Sequence, residues 1–338
     1  MKKSALVRLR NEGWGMDKEK LIVAASPHIR SSRTTQSIML DVIIALMPTL
    51  VASAVIFGIN SLAVIAICVV SCVVFEYLSR HIMKKPQTIS DLSAVVTGII
   101  LAFNLPSTVP IYVLIIGSFI AIVIVKQLFG GLGQNFANPA LTARIVLMLS
   151  FTSAVTKYAN PVWFKDAVAS ATPLAFADEV AANGNLLGSI SVKDLFLGAH
   201  AGCLGETCAL TLLIGGAYLV IRRVISPAVP LAYLGSFAVF TLISGNNPIR
   251  ELLMGGIMLG AIFMATDYAT TPINFWGKII FGIGCGLITF IIRQFSSSYT
   301  EGVSFSILLM NILTPYIDNL TRPLPLGVKK HKKGAAKV

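Results

Sequence analysis

The sequence predicts an all-α integral membrane protein of about ten transmembrane helices, in two inverted five-helix repeats with broken helices. Three observations predict it. First, the 338 residues are 55% hydrophobic and only 12% charged, with a mean hydropathy of +0.79. Soluble domains carry about 25% charged residues. Second, the apolar residues gather into segments separated by short polar stretches. Third, the net charge of +12 sits at the termini and in short loops between those segments. That distribution sets orientation against a membrane. It points to membrane lipid, not nucleic acid, as the surrounding partner.

The elements follow in order. Residues 1–36 form a basic arm carrying Lys2, Lys3, Arg8, Arg10, Lys18, Lys20, Arg30 and Arg33. No apolar signal core precedes residue 37, so the first span is expected to act as its own signal and to leave the arm cytoplasmic. The first five spans are expected at 37–59, 61–80, 91–105, 108–128 and 139–155. The second five are expected at 204–222, 228–245, 251–267, 276–294 and 303–320. Most have the roughly 20 residues a helix needs to cross the hydrocarbon. The third and fifth are short and abut Asn104-Leu105-Pro106 and Gly130-Gly131-Leu132-Gly133. Non-helical backbone at that depth must be buried in protein or line a cavity.

With the arm inside, the inner segments collect Arg80, Lys84, Lys85, Lys126, Arg222, Arg223, Lys278 and the basic tail in 321–338. About 21 of the 27 Lys and Arg then lie inside and about 5 outside, with Arg144 in a span. Both termini are therefore expected to be cytoplasmic, and the polar interval 156–203 to face out. The blocks 37–155 and 204–320 share a rhythm. Asp91-Leu92 opens the third span and Glu251-Leu252 the eighth; a small-residue run, a polar break with a proline and a long apolar span follow each. An odd number of spans per block inverts the second. Inverted repeats place their site near the midplane, where broken helices meet.

The polar breaks supply the candidate residues. In the first, 130–140, Asn135 and Asn138 offer amide donors and acceptors, and Pro139 suits a first helical turn. The bland reading of both asparagines is helix capping. The second, 264–272, carries Asp267 at a span end. A carboxylate there is solvated, paired or ion-binding. Glu206 in Gly205-Glu206-Thr207 and Asp41 near the start of the first span are further ion-path candidates. The five cysteines match no zinc or cluster spacing and read as small apolar residues, so no metal site is expected. In the outer interval, the stretch from Asp166 to Pro173 is a small-residue turn that leaves the Thr172 hydroxyl open to a modifying enzyme.

These motifs carry a resemblance. Ser26-Pro27-His28-Ile29-Arg30, Met39-Leu40-Asp41-Val42, Asn135–Ala140, Ser170-Ala171-Thr172-Pro173-Leu174, Gly205-Glu206-Thr207 and Met264–Asp267 stand in an order that resembles the RnfD subunits of Rnf complexes. The chain is similar, more distantly, to the NqrB subunits of the sodium-pumping NADH:quinone oxidoreductase. The resemblance covers nearly the whole chain. It implies a multi-pass subunit of the bacterial plasma membrane, within an ion-translocating ferredoxin:NAD+ oxidoreductase that moves Na+ or H+. Its partners would be the other Rnf subunits and a flavin transferase.

The resemblance also implies cofactors. In this family a threonine ending an Asp-x5-Thr motif is esterified by the phosphate of FMN, which then relays electrons. Asp166 and Thr172 match that spacing, with Ser170 beside them. The family commonly reads Ser-Gly-Ala-Thr where this chain reads Ala169-Ser170-Ala171-Thr172. A non-covalent riboflavin among the helices is implied as well, with Asn135 and Asn138 as its expected polar contacts. The competing class is a urea-channel-like solute channel or transporter, in which 156–203 would be a plain loop.

Overall fold

A computed structural model describes residues 33–161, 192–295 and 302–323. Asp166, Ser170 and Thr172 therefore lie outside the described residues. The chain divides into two units, Met1–Thr34 and Thr35–Val338, and every element named below belongs to the second. All regular elements among the described residues are helical. The first block holds α1 (Thr35–Phe57), α2 (Ile59–Ile82), α3 (Ser93–Phe103), α4 (Ile111–Phe119, continued by a π-helical Ile120–Gln127), α5 (Pro139–Ser150) and α6 (Thr152–Val155). After α7 (Val192–Leu197), the second block holds α8 (Ala209–Ile221), α9 (Ala228–Ile243), α10 (Pro248–Leu253), α11 (Ile257–Leu259, continued by a π-helical Gly260–Met264), α12 (Phe275–Phe295) and α13 (Val303–Thr321). Four of these, α1, α2, α12 and α13, are long and apolar enough to cross a membrane. Shorter apolar helices accompany them.

The distribution of polarity is that of a protein dissolved in lipid. Val51, Val55, Ile59 and Val70 stand exposed, while Asp41, Thr49, Ser53, Ser61 and Glu76 on the same two helices are buried. Water would select the reverse. Inside the bundle many hydroxyls are satisfied locally: Ser53 donates to the Leu50 carbonyl, Thr97 to Ser93, Thr241 to Phe237 and Thr289 to Cys285. Such bonds let a polar side chain sit in a membrane helix without an outside partner. All five cysteines are buried thiols. The chain is a multi-pass membrane protein.

Close helix contacts depend on missing side chains. A Cβ on Gly98 of α3 would lie 2.8 Å from the Val69 Cα of α2. In the second block, Gly282 and Gly286 of α12 lie against the α9 backbone. A Cβ on each would come within 3.0 and 2.9 Å of the Val229 and Tyr233 carbonyl oxygens. Small residues one turn apart are what lipid-embedded helices use to approach.

Three spans differ from the sequence reading. Residues 251–267 are not one helix: α10 ends at Leu253, Gly255 takes φ +66°, and α11 starts at Ile257. The Arg293 guanidinium holds the opening together by donating to the carbonyls of Glu251 (2.8 Å) and Met254 (3.0 Å). Residues 139–155 divide at Phe151 into α5 and α6. The sixth span begins at Ala209, not 204. The Leu204 and Gly205 N–H groups are bonded instead to the carbonyls of Leu105 and Phe103 at the end of α3.

Lys126, expected with the inner loops, is instead buried in the π-helical end of α4. The Leu128 N–H reaches back five residues to the Val123 carbonyl, which widens the turn. Each block packs its second helix against its third: α2 against α3, and α9 against α10. Likewise α4 packs on α5, and α12 on α13.

A cavity where the two polar breaks meet

The two polar breaks come together in the structure. Asn138 caps α5: its Oδ1 accepts from the Ala140 N–H (3.1 Å) and the Leu141 N–H (3.3 Å). Its Nδ2 donates at 3.4 Å to the Met264 carbonyl, 126 positions away. Both ends of this amide are therefore engaged in structure. Asn135 is engaged less. Its Nδ2 donates to the Ala137 carbonyl at 3.1 Å, and its Oδ1 accepts no bond among the described residues.

Between the breaks lies a cavity of about 390 Å³. This falls within the range of small-molecule sites. Its walls are mostly apolar: Ile38, Met39 and Val42 of α1, Val96 and Ile100 of α3, and Phe263. Its polar lining includes Asn135, Asn138, Asp267, Thr97, Ser93 and Lys126. Asp267 is half-buried, and Thr270 Oγ1 donates to its Oδ2 at 3.4 Å.

Sequence reasoning does not single out Lys126 as a site residue. It is 2% exposed and Glu76 is 0% exposed, so the pair is fully desolvated. Lys126 Nζ donates to Glu76 Oε2 at 2.8 Å and to Ser93 Oγ at 2.7 Å. Thr88 Oγ1 donates to Glu76 Oε1 at 2.9 Å, and Ser93 Oγ donates on to Asp91 Oδ1 at 2.7 Å. Two charged residues inside apolar runs are the available signal. Their pairing joins positions 50 apart in sequence, which no spacing rule reveals.

The other acid candidates lie elsewhere. Glu206 is buried, and its Oε1 accepts from Arg144 at 2.8 Å. The same guanidinium nitrogen donates to Asn104 Oδ1 at 2.6 Å. This knot ties the end of α3, the middle of α5 and the segment before α8. Gly256, at the break between α10 and α11, packs against it: a Cβ there would meet Glu206 Oε1 at 2.7 Å. Glu206 Oε2 has no hydrogen bond among the described residues, but Glu206 does not line the cavity. Asp41 faces α8. It accepts from Tyr218 OH at 3.0 Å and from Arg222 at 3.3 Å.

The cavity residues fit a flat, partly polar heterocycle. The apolar walls can face a ring, and amide, carboxylate and ammonium groups can serve its edge. A flavin ring has that division between apolar faces and a hydrogen-bonding edge.

Residues 22–327 match the family described as NQR2, RnfD, RnfE. The chain is 49% identical over 322 residues to the D subunit of the Na+-translocating ferredoxin:NAD+ oxidoreductase complex of Acetobacterium woodii, covering 95% of this chain and 99% of that one. It is 39% identical over 326 residues to the D subunit of the proton-translocating ferredoxin:NAD+ oxidoreductase complex of Clostridium ljungdahlii, covering 91% and 96%. It is 34% identical over 346 residues to the D subunit of the ion-translocating oxidoreductase complex of Actinobacillus succinogenes, covering 90% and 97%. With nearly its whole length matched, the chain belongs to the NQR2, RnfD, RnfE family.

Proposed function

We propose that this chain is the membrane flavoprotein subunit of an ion-translocating ferredoxin:NAD+ oxidoreductase, acting with the other subunits of that complex. The observation that carries the reading is the cavity. Polar breaks from two separate blocks converge on one largely apolar space whose edge keeps hydrogen-bonding groups available. A non-covalent riboflavin is its occupant. Bound there, a flavin supplies a centre that accepts and releases one or two electrons. Asn135 holds the polar edge of the ring. Phe263 and Val96 exclude water from it. Asn138 fixes the wall by capping α5.

A second flavin, FMN, is joined through its phosphate to Thr172 by a flavin transferase, with Asp166 and Ser170 forming the recognition turn. All three residues lie outside the described segments, so this part rests on the family motif. Ten spans in two inverted blocks, with both termini cytoplasmic and 156–203 outside, complete the reading. Its support is the basic-residue asymmetry and the matching helix pairings of the two blocks. Of the acidic candidates, Asp267 is the one proposed to carry the translocated cation. Glu206 and Asp41 each already face an arginine.

Mass spectrometry tests the covalent flavin. With a flavin transferase co-expressed, the Thr172 peptide should gain the mass of FMN. Thr172→Ala should lose it, while Ser170→Ala retains part of it. An unmodified Thr172, together with no acid-released flavin, would remove this reading and favour a solute channel. An Asn185→Cys variant should react with an impermeant thiol reagent in intact cells. Reaction only after permeabilisation would invert the topology.

A further inference from the structure

The cavity contains one group whose presence capping and packing do not explain. An ammonium has three N–H donors. Lys126 uses one on Glu76 Oε2 and one on Ser93 Oγ. The third has no partner among the described residues, and Lys126 lines the cavity. A buried cation with an unused donor is costly unless something accepts from it. Among the described residues, Asp267 is the one other charged side chain lining the same space.

We propose that Lys126 sets the electron affinity of the cavity, by donating its third N–H to a ligand that becomes negatively charged on reduction. This rests on the flavin reading above. A flavin bound there would gain one negative charge on taking two electrons from a low-potential reductant, dithionite in the test below, and one proton from water. Lys126 stabilises that charge more than the neutral oxidised ring. Asp267 opposes it. Glu76 and Ser93 act as positioning residues: they fix the ammonium and orient the remaining donor. A purely structural Lys126 would favour the oxidised and reduced forms alike.

The test uses the full-length chain purified in detergent with Thr172→Ala, so that only non-covalent flavin is read. Acid precipitation of this protein should release flavin. Equilibrium dialysis against riboflavin, under air and then under dithionite, gives the affinities of the oxidised and reduced forms. Lys126→Met, paired with Glu76→Gln so that no lone carboxylate stays buried, should lower the reduced-to-oxidised affinity ratio at least tenfold. For a two-electron couple that is about 30 mV in midpoint potential. Lys126→Arg should keep the ratio near the parent value, and Asp267→Asn should move it the opposite way. An unchanged ratio in the Lys126→Met/Glu76→Gln protein, with flavin bound, overturns the role of Lys126 alone. If the parent protein neither releases flavin nor binds added riboflavin, the flavin reading of the cavity falls, and this proposal with it.

Discussion

Two buried polar centres of this protein are built on opposite principles. At Arg144, the charge meets Glu206 and Asn104, and protein packs around the group. Around the cavity, Asn135 and Lys126 are anchored by some of their polar atoms and keep others unused beside open space. Both centres stand where helices break. The difference separates a group that holds breaks together from one that holds a ligand. The structural centre is closed in by protein even where one oxygen, Glu206 Oε2, accepts no hydrogen bond among the described residues, whereas the binding site leaves polar atoms directed at open space.

The largest expected effect breaks the first centre. Arg144→Met should leave Glu206 buried without its cation and destabilise the chain by about 3–5 kcal/mol. Thermal unfolding of the detergent-solubilised protein would show it, and Arg144→Met/Glu206→Gln should recover much of the loss. A small effect of the single variant would mean that the knot is hydrated and resembles the cavity. The next largest effect on stability is that of Asn138→Ala, which removes the α5 cap and should cost about 1 kcal/mol. Asn138→Asp retains an acceptor for the Ala140 and Leu141 N–H groups and should lose less.

Asn135→Ala sharpens the contrast. Its stability should stay within about 0.5 kcal/mol of the parent, while riboflavin binding weakens roughly tenfold, a change of about 1.4 kcal/mol. Equal losses of stability and binding at Asn135 and Asn138 would erase the distinction drawn between them. Asp267→Asn should lower ions moved per electron, in proteoliposomes of the assembled complex, with flavin content intact. Normal coupling in that variant would return Asp267 to the status of a solvated helix end. The smallest effect is expected for Asp41→Asn, with unchanged riboflavin binding and a stability loss under about 1 kcal/mol. Its partner Arg222 is 51% exposed, so the pair is screened by water.

Much of this architecture is legible in sequence because lipid demands long apolar runs. The first span, expected at 37–59, is found at Thr35–Phe57, and the ninth, expected at 276–294, is Phe275–Phe295. The breaks are legible too, through Pro139 and the glycines before it. What escapes is pairing. The sequence offers Glu206 as an ion-path candidate but gives no sign of its partner Arg144, 62 positions away. Lys126 reads as a loop cation because its place depends on the turn that precedes it. Periodicity assumes 3.6 residues per turn, and a π-helical segment departs from that count without any marker residue. The covalent flavin is the reverse case: its motif is legible, while its surroundings lie outside the described residues.

The π-helical segments after α4 and α11 have a consequence for how the protein can change. Both precede a polar break, and both border the cavity, through Lys126 and Phe263. Such a widened turn amounts to one residue inserted into an α-helix. Deleting Ile122 alone would let Ile120–Gln127 relax to an ordinary helix while everything beyond it keeps its direction, whereas one residue inserted in the α-helical stretch Ile111–Phe119 would turn everything beyond the insertion by about 100°. With that insertion Lys126 would remain in the chain, chemically intact, yet point away from Ser93 and Glu76. The position of this cation is thus encoded as a length, and a single-codon insertion in the helix before it would remove it from the cavity as surely as a substitution.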